Sequence, residues 1–229
     1  MYFDHLNSLF IHIPKCSGNF LVNKLSSYSS DFKLFTSDPS KVDRFELSGK
    51  FTVTKHQTLG QYKLLMPSTV YSRLKKFTII RSPVDRLISL YYSPHRWCSL
   101  GFFDKVLVKL SNTPPYIPFA SCISPKPLEP VFDIAQFESM LSQESSQSQY
   151  LSECLHTIDI PSEIALFKFG CDFDLISKFL GIDASILESS LKTNSSRSPH
   201  VDNLPLDKIT ELVNQSHHSV DFDLYSLAF

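Results

Sequence analysis

The segment that most constrains the fold is a short apolar run that ends in a polar turn and leads into a helix. Residues 8–13 form the apolar run and are predicted to be a buried strand. Lys15 and Gly18 lie in the turn that follows Pro14, and the apolar pattern over residues 20–28 predicts a helix. Corners of this kind can bind phosphate, because backbone N–H groups and a helix N-terminus face the anion and a lysine adds charge. The pattern alone fits an ordinary corner with a solvated lysine equally well, and it is not a Walker A loop.

A second corner of the same type follows residues 77–80, which form the clearest internal strand. Arg81 comes directly after this strand, and Ser82 is a suitable N-cap for the helix that begins there. Pro83 fits the first helical position and Asp85 completes a start that resembles a capping box. Arg81 is therefore expected beside a helix N-terminus, where partial positive charge already favours an anion.

Two further polar side chains follow on the same helix. Arg86 and Ser89 are three positions apart and are expected to share a helix face. A guanidinium with a nearby hydroxyl can clamp a phosphate group. The alternatives are an ion pair of Arg86 with Asp85 or Asp104, and a packing contact for Ser89.

A candidate base follows a third strand. Residues 51–56 predict a strand that ends at His56, which would place the imidazole at the same sheet edge as Lys15 and Arg81. Histidine has a pKa suited to taking a proton from a hydroxyl near neutral pH. A surface or core role is the alternative for His56, and His12 is expected to point into the packing.

The remaining segments favour an α/β domain with a mostly parallel sheet flanked by helices. Later elements are predicted as helices over 133–141, 147–156, 174–180 and 206–217, a strand over 164–169, and an apolar tail over 221–225 that packs back. Residues 93–130 are rich in proline, which predicts a long loop or insertion within one domain that spans residues 1–229.

Composition limits the possible partners. The chain has 22 Lys and Arg against 23 Asp and Glu, a net charge of −1, so no global basic field would hold nucleic acid or an anionic membrane. The five cysteines show no metal-ligand spacing, so no metal site is expected. The start of the chain does not resemble a signal peptide and no apolar run reaches the length of a membrane span. A cytoplasmic location is expected, with a trimmed Golgi-luminal domain as the alternative.

Together these segments resemble the carbohydrate-type sulfotransferases that use 3′-phosphoadenosine 5′-phosphosulfate (PAPS), a family that includes heparan and chondroitin sulfotransferases. Residues 10–18 are similar to its H-I-P-K-[TC]-[AG]-G loop, and residues 81–92 to its R-[DN]-P-[VY]-x-R-x-x-S-x-[YF] segment. The pair Lys55-His56 stands where several members have G-H. Asn194-Ser195-Ser196 and residues 220–225 are similar to the family's N-x-S and D-[FY]-x-L-[YF] features.

The resemblance implies a P-loop-like fold and transfer of a sulfonate group from PAPS to an acceptor hydroxyl, without a metal and with a saccharide as the expected acceptor. It implies that Lys15 and His56 are catalytic, with Lys15 on the leaving group and His56 as the base. The cofactor-binding residues that it implies are Lys15, Cys16, Ser17, Gly18, Asn19, Arg81, Ser89 and Arg197. Asn19 stands where the family usually has Thr or Ser. The alternatives are a P-loop kinase that acts on a small molecule and a catalytically silent nucleotide-binding or interaction domain.

Overall fold

The computed structural model describes residues 1–29, 44–47, 51–54, 56–92, 132–154, 157–170, 173–188 and 204–229. Six strands are found in these ranges: β1 (Tyr2–Phe3), β2 (Ser8–Phe10), β3 (Arg44–Leu47), β4 (Phe51–Thr54), β5 (Lys75–Ile80) and β6 (Ala165–Lys168). Ten α-helices are found there: α1 (Gly18–Leu25), α2 (Leu59–Leu65), α3 (Ser68–Tyr71), α4 (Pro83–Tyr91), α5 (Ile134–Gln143), α6 (Gln147–Leu151), α7 (Phe173–Leu180), α8 (Ser185–Glu188), α9 (Leu206–Gln215) and α10 (Val220–Ser226). Short 3-10 helices cover Asp4–Leu6 and Ser26–Tyr28.

The main sheet has four strands in the order β1-β2-β5-β6. Strand β1 is antiparallel to β2, whereas β2, β5 and β6 are parallel. Strand β5 lies in the middle of the parallel part, and five of its six residues are buried, as expected for a strand covered on both faces. The predicted α/β class, with a mostly parallel sheet flanked by helices, is confirmed.

The topology brings three chain segments to one edge of the sheet. The parallel strands end at Phe10, Ile80 and Lys168, so the segments after them emerge on the same side. The backbone continues this alignment beyond the strands, because the N–H of Ile11 donates to the carbonyl of Phe77 and the N–H of Phe169 to that of Ile80. This edge is where open α/β sheets bind ligands.

Strand β4 does not extend the main sheet. It pairs with β3 in a separate two-stranded antiparallel sheet. The expectation that the strand before His56 belongs to the central parallel sheet is therefore wrong, because β4 pairs with its chain neighbour β3 in a hairpin that is separate from that sheet. The predicted strand ends at Thr54, and His56 lies in a turn after it.

Two buried apolar clusters support this arrangement. The larger one surrounds the sheet, with side chains from α1, α2, α6 and α7 packed on strands β2 and β5. The second joins α4, α5 and α9 through side chains that include Leu87, Tyr91, Phe137, Met140 and Ile209. Helix α4 thus starts at the ligand edge of the sheet and is fixed along its length by two later helices.

Most of the predicted helices are found, with shifted ends. Asp133 caps α5 by accepting from the N–H of Gln136, Gly181 follows α7 with a φ of 72°, and the tail forms α10. Helix α6 ends at Leu151, earlier than predicted. Ser82 precedes α4 and Pro83 takes its first turn, but Ser82 makes no side-chain cap hydrogen bond, so the predicted capping box is wrong.

Several expectations fall outside the described residues, among them the proline-rich segment and the loop at residues 194–197. Among the described residues, none of the helices combines the length and the apolar character that crossing a bilayer requires.

Candidate functional site

The turn between β2 and α1 has an unusual backbone. Lys15 and Ser17 have positive φ values of 69° and 62°, and Cys16 between them does not. Left-handed backbone conformations are rare for residues other than glycine. Where right-handed and left-handed residues alternate, successive N–H groups point towards one concave surface, which can bind an anion. In the part of the chain that is described, the N–H groups of Ser17 and Gly18 have no protein acceptor. No side chain caps helix α1 either, so its positive end is left for another partner.

Gly18 is required by its contact with His12. A Cβ atom on Gly18 would lie 1.9 Å from Cδ2 and 2.0 Å from Nε2 of the His12 ring. The ring of His12 is buried, as predicted, and stacks on Phe10 with centroids 5.7 Å apart. The buried imidazole of His12 therefore packs directly against the backbone of Gly18, and only glycine allows this close contact.

Lys15 and Arg81 lie together across the sheet edge. Nη1 of Arg81 is 3.5 Å from the carbonyl oxygen of Lys15, and burial together with the nearby Arg81 charge lowers the pKa of Lys15. Neither side chain forms an ion pair with a carboxylate within the described ranges. Two neighbouring cations without an acidic partner repel each other, and a bound anion would remove that repulsion.

Arg81 is held on two sides. Its guanidinium lies over the ring of Phe169, 4.6 Å from the centroid, where a cation–π contact is favourable. Its backbone is held by the side-chain amide of Gln147, whose Oε1 accepts from the Arg81 N–H at 2.9 Å and whose Nε2 donates to the Arg81 carbonyl at 2.8 Å. The position of Arg81 is thus fixed through its backbone and its side chain.

Cys16 is a buried part of the turn. Its thiol donates to Oε1 of Gln147 at 3.4 Å, the same oxygen that accepts from Arg81. Burial raises the pKa of this thiol to about 11, against smaller opposing effects of Arg86 and Arg81. The thiol is therefore protonated near neutral pH and acts as a hydrogen-bond donor between two loops.

Arg86 serves the structure of the turn. It is fully buried and donates from Nε to the carbonyl of Pro14 at 3.2 Å and from Nη2 to the carbonyl of Ser145 at 3.0 Å. It forms no ion pair with Asp85, so that alternative does not hold, and Asp104 lies outside the described residues. A guanidinium reaches two carbonyl groups at once, which explains why an arginine is buried at this position. Ser89, one turn further along α4, is half-buried.

His56 lies next to the turn through His12. Its Nδ1 is 2.8 Å from the carbonyl oxygen of His12, and the two rings are 4.6 Å apart between centroids. Because the His12 ring contacts Gly18, the imidazole of His56 is placed near the turn although β4, the strand that precedes it, is not part of the main sheet. The predicted neighbourhood of Lys15, Gly18, Arg81 and His56 is thus found, although His56 reaches it by another path.

Two polar residues that support the site were not predicted from the sequence. Gln147 is fully buried, and Asp221 accepts from the N–H groups of Gln147 at 2.8 Å and Ser148 at 2.9 Å. Burial alone would raise the pKa of Asp221, but the nearby His218 imidazole and the hydrogen bonds from the N–H groups of Gln147 and Ser148 outweigh it and lower this pKa. The spacing of Ser146 and Gln149 forms a capping box that marks the start of α6, which is a signal for the helix but not for the role of Gln147.

The described residues therefore place two cationic side chains beside an uncapped helix start, an arrangement that can attract an anion. Asn19 is exposed at the start of α1, while Arg197 lies outside the described residues. The described residues contain no group of three or more His, Cys, Asp or Glu side chains that could hold a metal ion.

Comparison with known proteins gives one match. No curated protein and no solved structure shows a significant similarity to the chain. A family model described as the sulfotransferase family matches residues 1–111. The matched part contains Lys15, Gly18, His56, Arg81 and Ser89. Over these residues the chain is similar to sulfotransferases.

Proposed function

We propose that the protein is a PAPS-dependent sulfotransferase that moves the sulfonate group of PAPS to a hydroxyl group of an acceptor, with a carbohydrate as the favoured acceptor class. The observation that carries the proposal is the pairing of Lys15 and Arg81 at the sheet edge, without a described acidic partner, beside the uncapped start of α1. A donor with phosphate groups at both ends of a ribose supplies anions for both cations.

Each residue has a role in this proposal. The backbone N–H groups of Ser17, Gly18 and Asn19 would hold the 5′-phosphate, with the thiol of Cys16 keeping the turn in shape. Arg81 and Ser89 would hold the 3′-phosphate, which distinguishes PAPS from ATP, and Arg197 would add charge from the later loop. The Lys15 ammonium would neutralise the charge that develops on the leaving oxygen.

The reaction is a substitution at sulfur. His56 takes the proton of the acceptor hydroxyl as its oxygen forms a bond to sulfur, and the bond from sulfur to the phosphate oxygen breaks. The products are a sulfate ester, 3′-phosphoadenosine 5′-phosphate (PAP) and a proton on His56 that returns to solvent. Positioning and fixed donors lower the barrier, because charge is only redistributed among oxygen atoms that these groups already contact.

The direct test is transfer of label from PAPS that carries radioactive sulfur to a panel of saccharides, lipids with hydroxyl groups and small alcohols. A labelled saccharide that is absent with Lys15→Met supports the full proposal. Labelled lipid or alcohol alone would retain sulfonate transfer but replace the acceptor class. Absence of transfer to every acceptor, together with γ-phosphate transfer from labelled ATP, would favour a small-molecule kinase, and PAP binding without any transfer would favour a silent nucleotide-binding domain.

A further inference from the structure

We propose that Gln147 is a positioning residue that aligns Arg81 with the Lys15 turn and so sets the preference for a nucleotide that carries a 3′-phosphate. The proposal rests on the proposed function, because it assumes that Arg81 contacts this phosphate. Gln147 lies beyond the part of the chain that the sulfotransferase model matches.

The side chain of Gln147 makes two hydrogen bonds with the backbone of Arg81. The amide of Gln147 accepts from the N–H of Arg81 and donates to its carbonyl, as a neighbouring strand would do. Two hydrogen bonds to one peptide segment fix both its position and its rotation, which a single bond does not. Since Arg81 directly follows β5, the direction of its side chain depends on this segment.

The same amide ties the second loop to the first. Oε1 of Gln147 also accepts from the thiol of Cys16, which lies between the two residues with positive φ. One buried side chain therefore contacts both loops that carry the cations. A shift of Gln147 would change the distance between Lys15 and Arg81, and a misplacement of about 1 Å is enough to weaken a preorganised site strongly.

Gln147 is itself anchored from the carboxyl-terminal part of the chain. Asp221 in α10 holds its backbone N–H at 2.8 Å, and the His218 imidazole lies 3.9 Å from that carboxylate. Nε2 of His218 is in turn 3.2 Å from the carbonyl of Leu141 at the end of α5. These contacts involve the main chain of Gln147, so a substitution of its side chain leaves the anchor in place.

The test compares PAP with AMP, which lacks the 3′-phosphate, by isothermal titration calorimetry on the full chain. Gln147→Met keeps the length of the side chain and removes its hydrogen bonds. Gln147→Glu keeps the shape and the acceptor oxygen, but its carboxylate removes the donor to the Arg81 carbonyl and adds a negative charge near the two cations. Gln149→Ala is the matched control, because Gln149 lies on the same helix, is exposed, and makes capping bonds with Ser146 without contacting Arg81.

We expect Gln147→Met and Gln147→Glu to reduce the ratio of PAP affinity to AMP affinity by about tenfold or more. Gln149→Ala should lower the thermal midpoint while it leaves that ratio within about twofold of the native value. An equal loss of affinity for both nucleotides, or an unchanged ratio in a folded Gln147 variant, would show that Gln147 supports the fold only. If Gln147→Met does not fold, Gln147→Leu, which also removes the hydrogen bonds and adds no charge, takes its place with the same expected result. A native protein that does not prefer PAP over AMP would instead overturn the proposed function, and this proposal with it.

Discussion

The imidazole ring of His12 occupies the space that a side chain on Gly18 would need, since a Cβ atom there would lie only 1.9 Å from Cδ2 of the ring. The glycine of the turn is thus fixed by a residue six positions earlier, just after strand β2. This contact joins the core of the sheet to the proposed donor site, because the buried His12 also lies against His56.

Gly18→Ala should therefore destabilise the fold and weaken PAP binding. A methyl group forced against a buried ring costs about 1–3 kcal/mol of unfolding free energy. In the His12→Ala background the same substitution should cost much less, because the ring is gone. Urea denaturation of the four proteins in this cycle measures the coupling. Equal costs of Gly18→Ala in the two backgrounds would show that the ring is not the obstacle.

Lys15→Met should stabilise the ligand-free protein and strongly reduce turnover. Burial and Arg81 lower the pKa of Lys15 in the folded state, so the unfolded chain binds the proton more tightly. The native protein should therefore gain stability from Lys15 as pH rises from the lowered folded pKa towards the usual value near 10.5. The variant should lack this gain, have a higher urea midpoint at pH 7 and lose at least about 100-fold in turnover. A lower midpoint at pH 7 would contradict the repulsion between Lys15 and Arg81.

Asp221→Asn should remove part of the acid sensitivity of the fold. The carboxylate has a lowered pKa in the folded state, so its contribution is present above the unfolded value near 3.9 and is lost as pH falls through the folded pKa. At pH 7 the substitution should cost about 2 kcal/mol, since hydrogen bonds to a buried charge are lost. The exposed Asp223 on the same helix is the control. If Asp223→Asn and Asp221→Asn change the curve of stability against pH equally, the buried network has no special role.

His56→Ala should lower turnover with little effect on donor binding. A general base typically raises the reaction rate by about 10²- to 10⁴-fold. No contact with PAPS is assigned to His56. The affinity for PAP should stay within about threefold. His217→Ala serves as the control, because that imidazole is exposed and bonds the carbonyl of Glu144. Near-full turnover in His56→Ala, combined with its loss in Lys15→Met, would show that His56 is not the base.

The local parts of this fold are predictable because short-range chemistry decides them. The apolar run before Lys15, the proline at the start of α4 and the cap at Asp133 each act within a few residues. The three elements are found at these places, although strand β2 ends at Phe10 and not at residue 13 as predicted. The order of strands then brings Lys15 and Arg81 to one edge, since parallel strands end on the same side.

The long-range polar contacts were not predictable in the same way. Gln147 and Arg81 are 66 positions apart, and Gln147 and Asp221 are separated by 74. A buried amide between two loops leaves no periodic signal in the sequence. For Arg86, the nearby Asp85 favoured an ion pair, but the carbonyl groups of Pro14 and Ser145 at the buried turn offer the guanidinium two acceptors instead.

The pairing of Lys15 and Arg81 is proposed to form a site for a nucleotide with phosphates at its 3′ and 5′ positions. Calorimetric titration of the native protein with PAP, ATP and ADP tests this most directly, with Arg81→Gln as the comparison. We predict that PAP binds at least about tenfold more tightly than ATP, and that Arg81→Gln removes most of this difference. Binding of ATP as tightly as PAP by the native protein would contradict the proposed site.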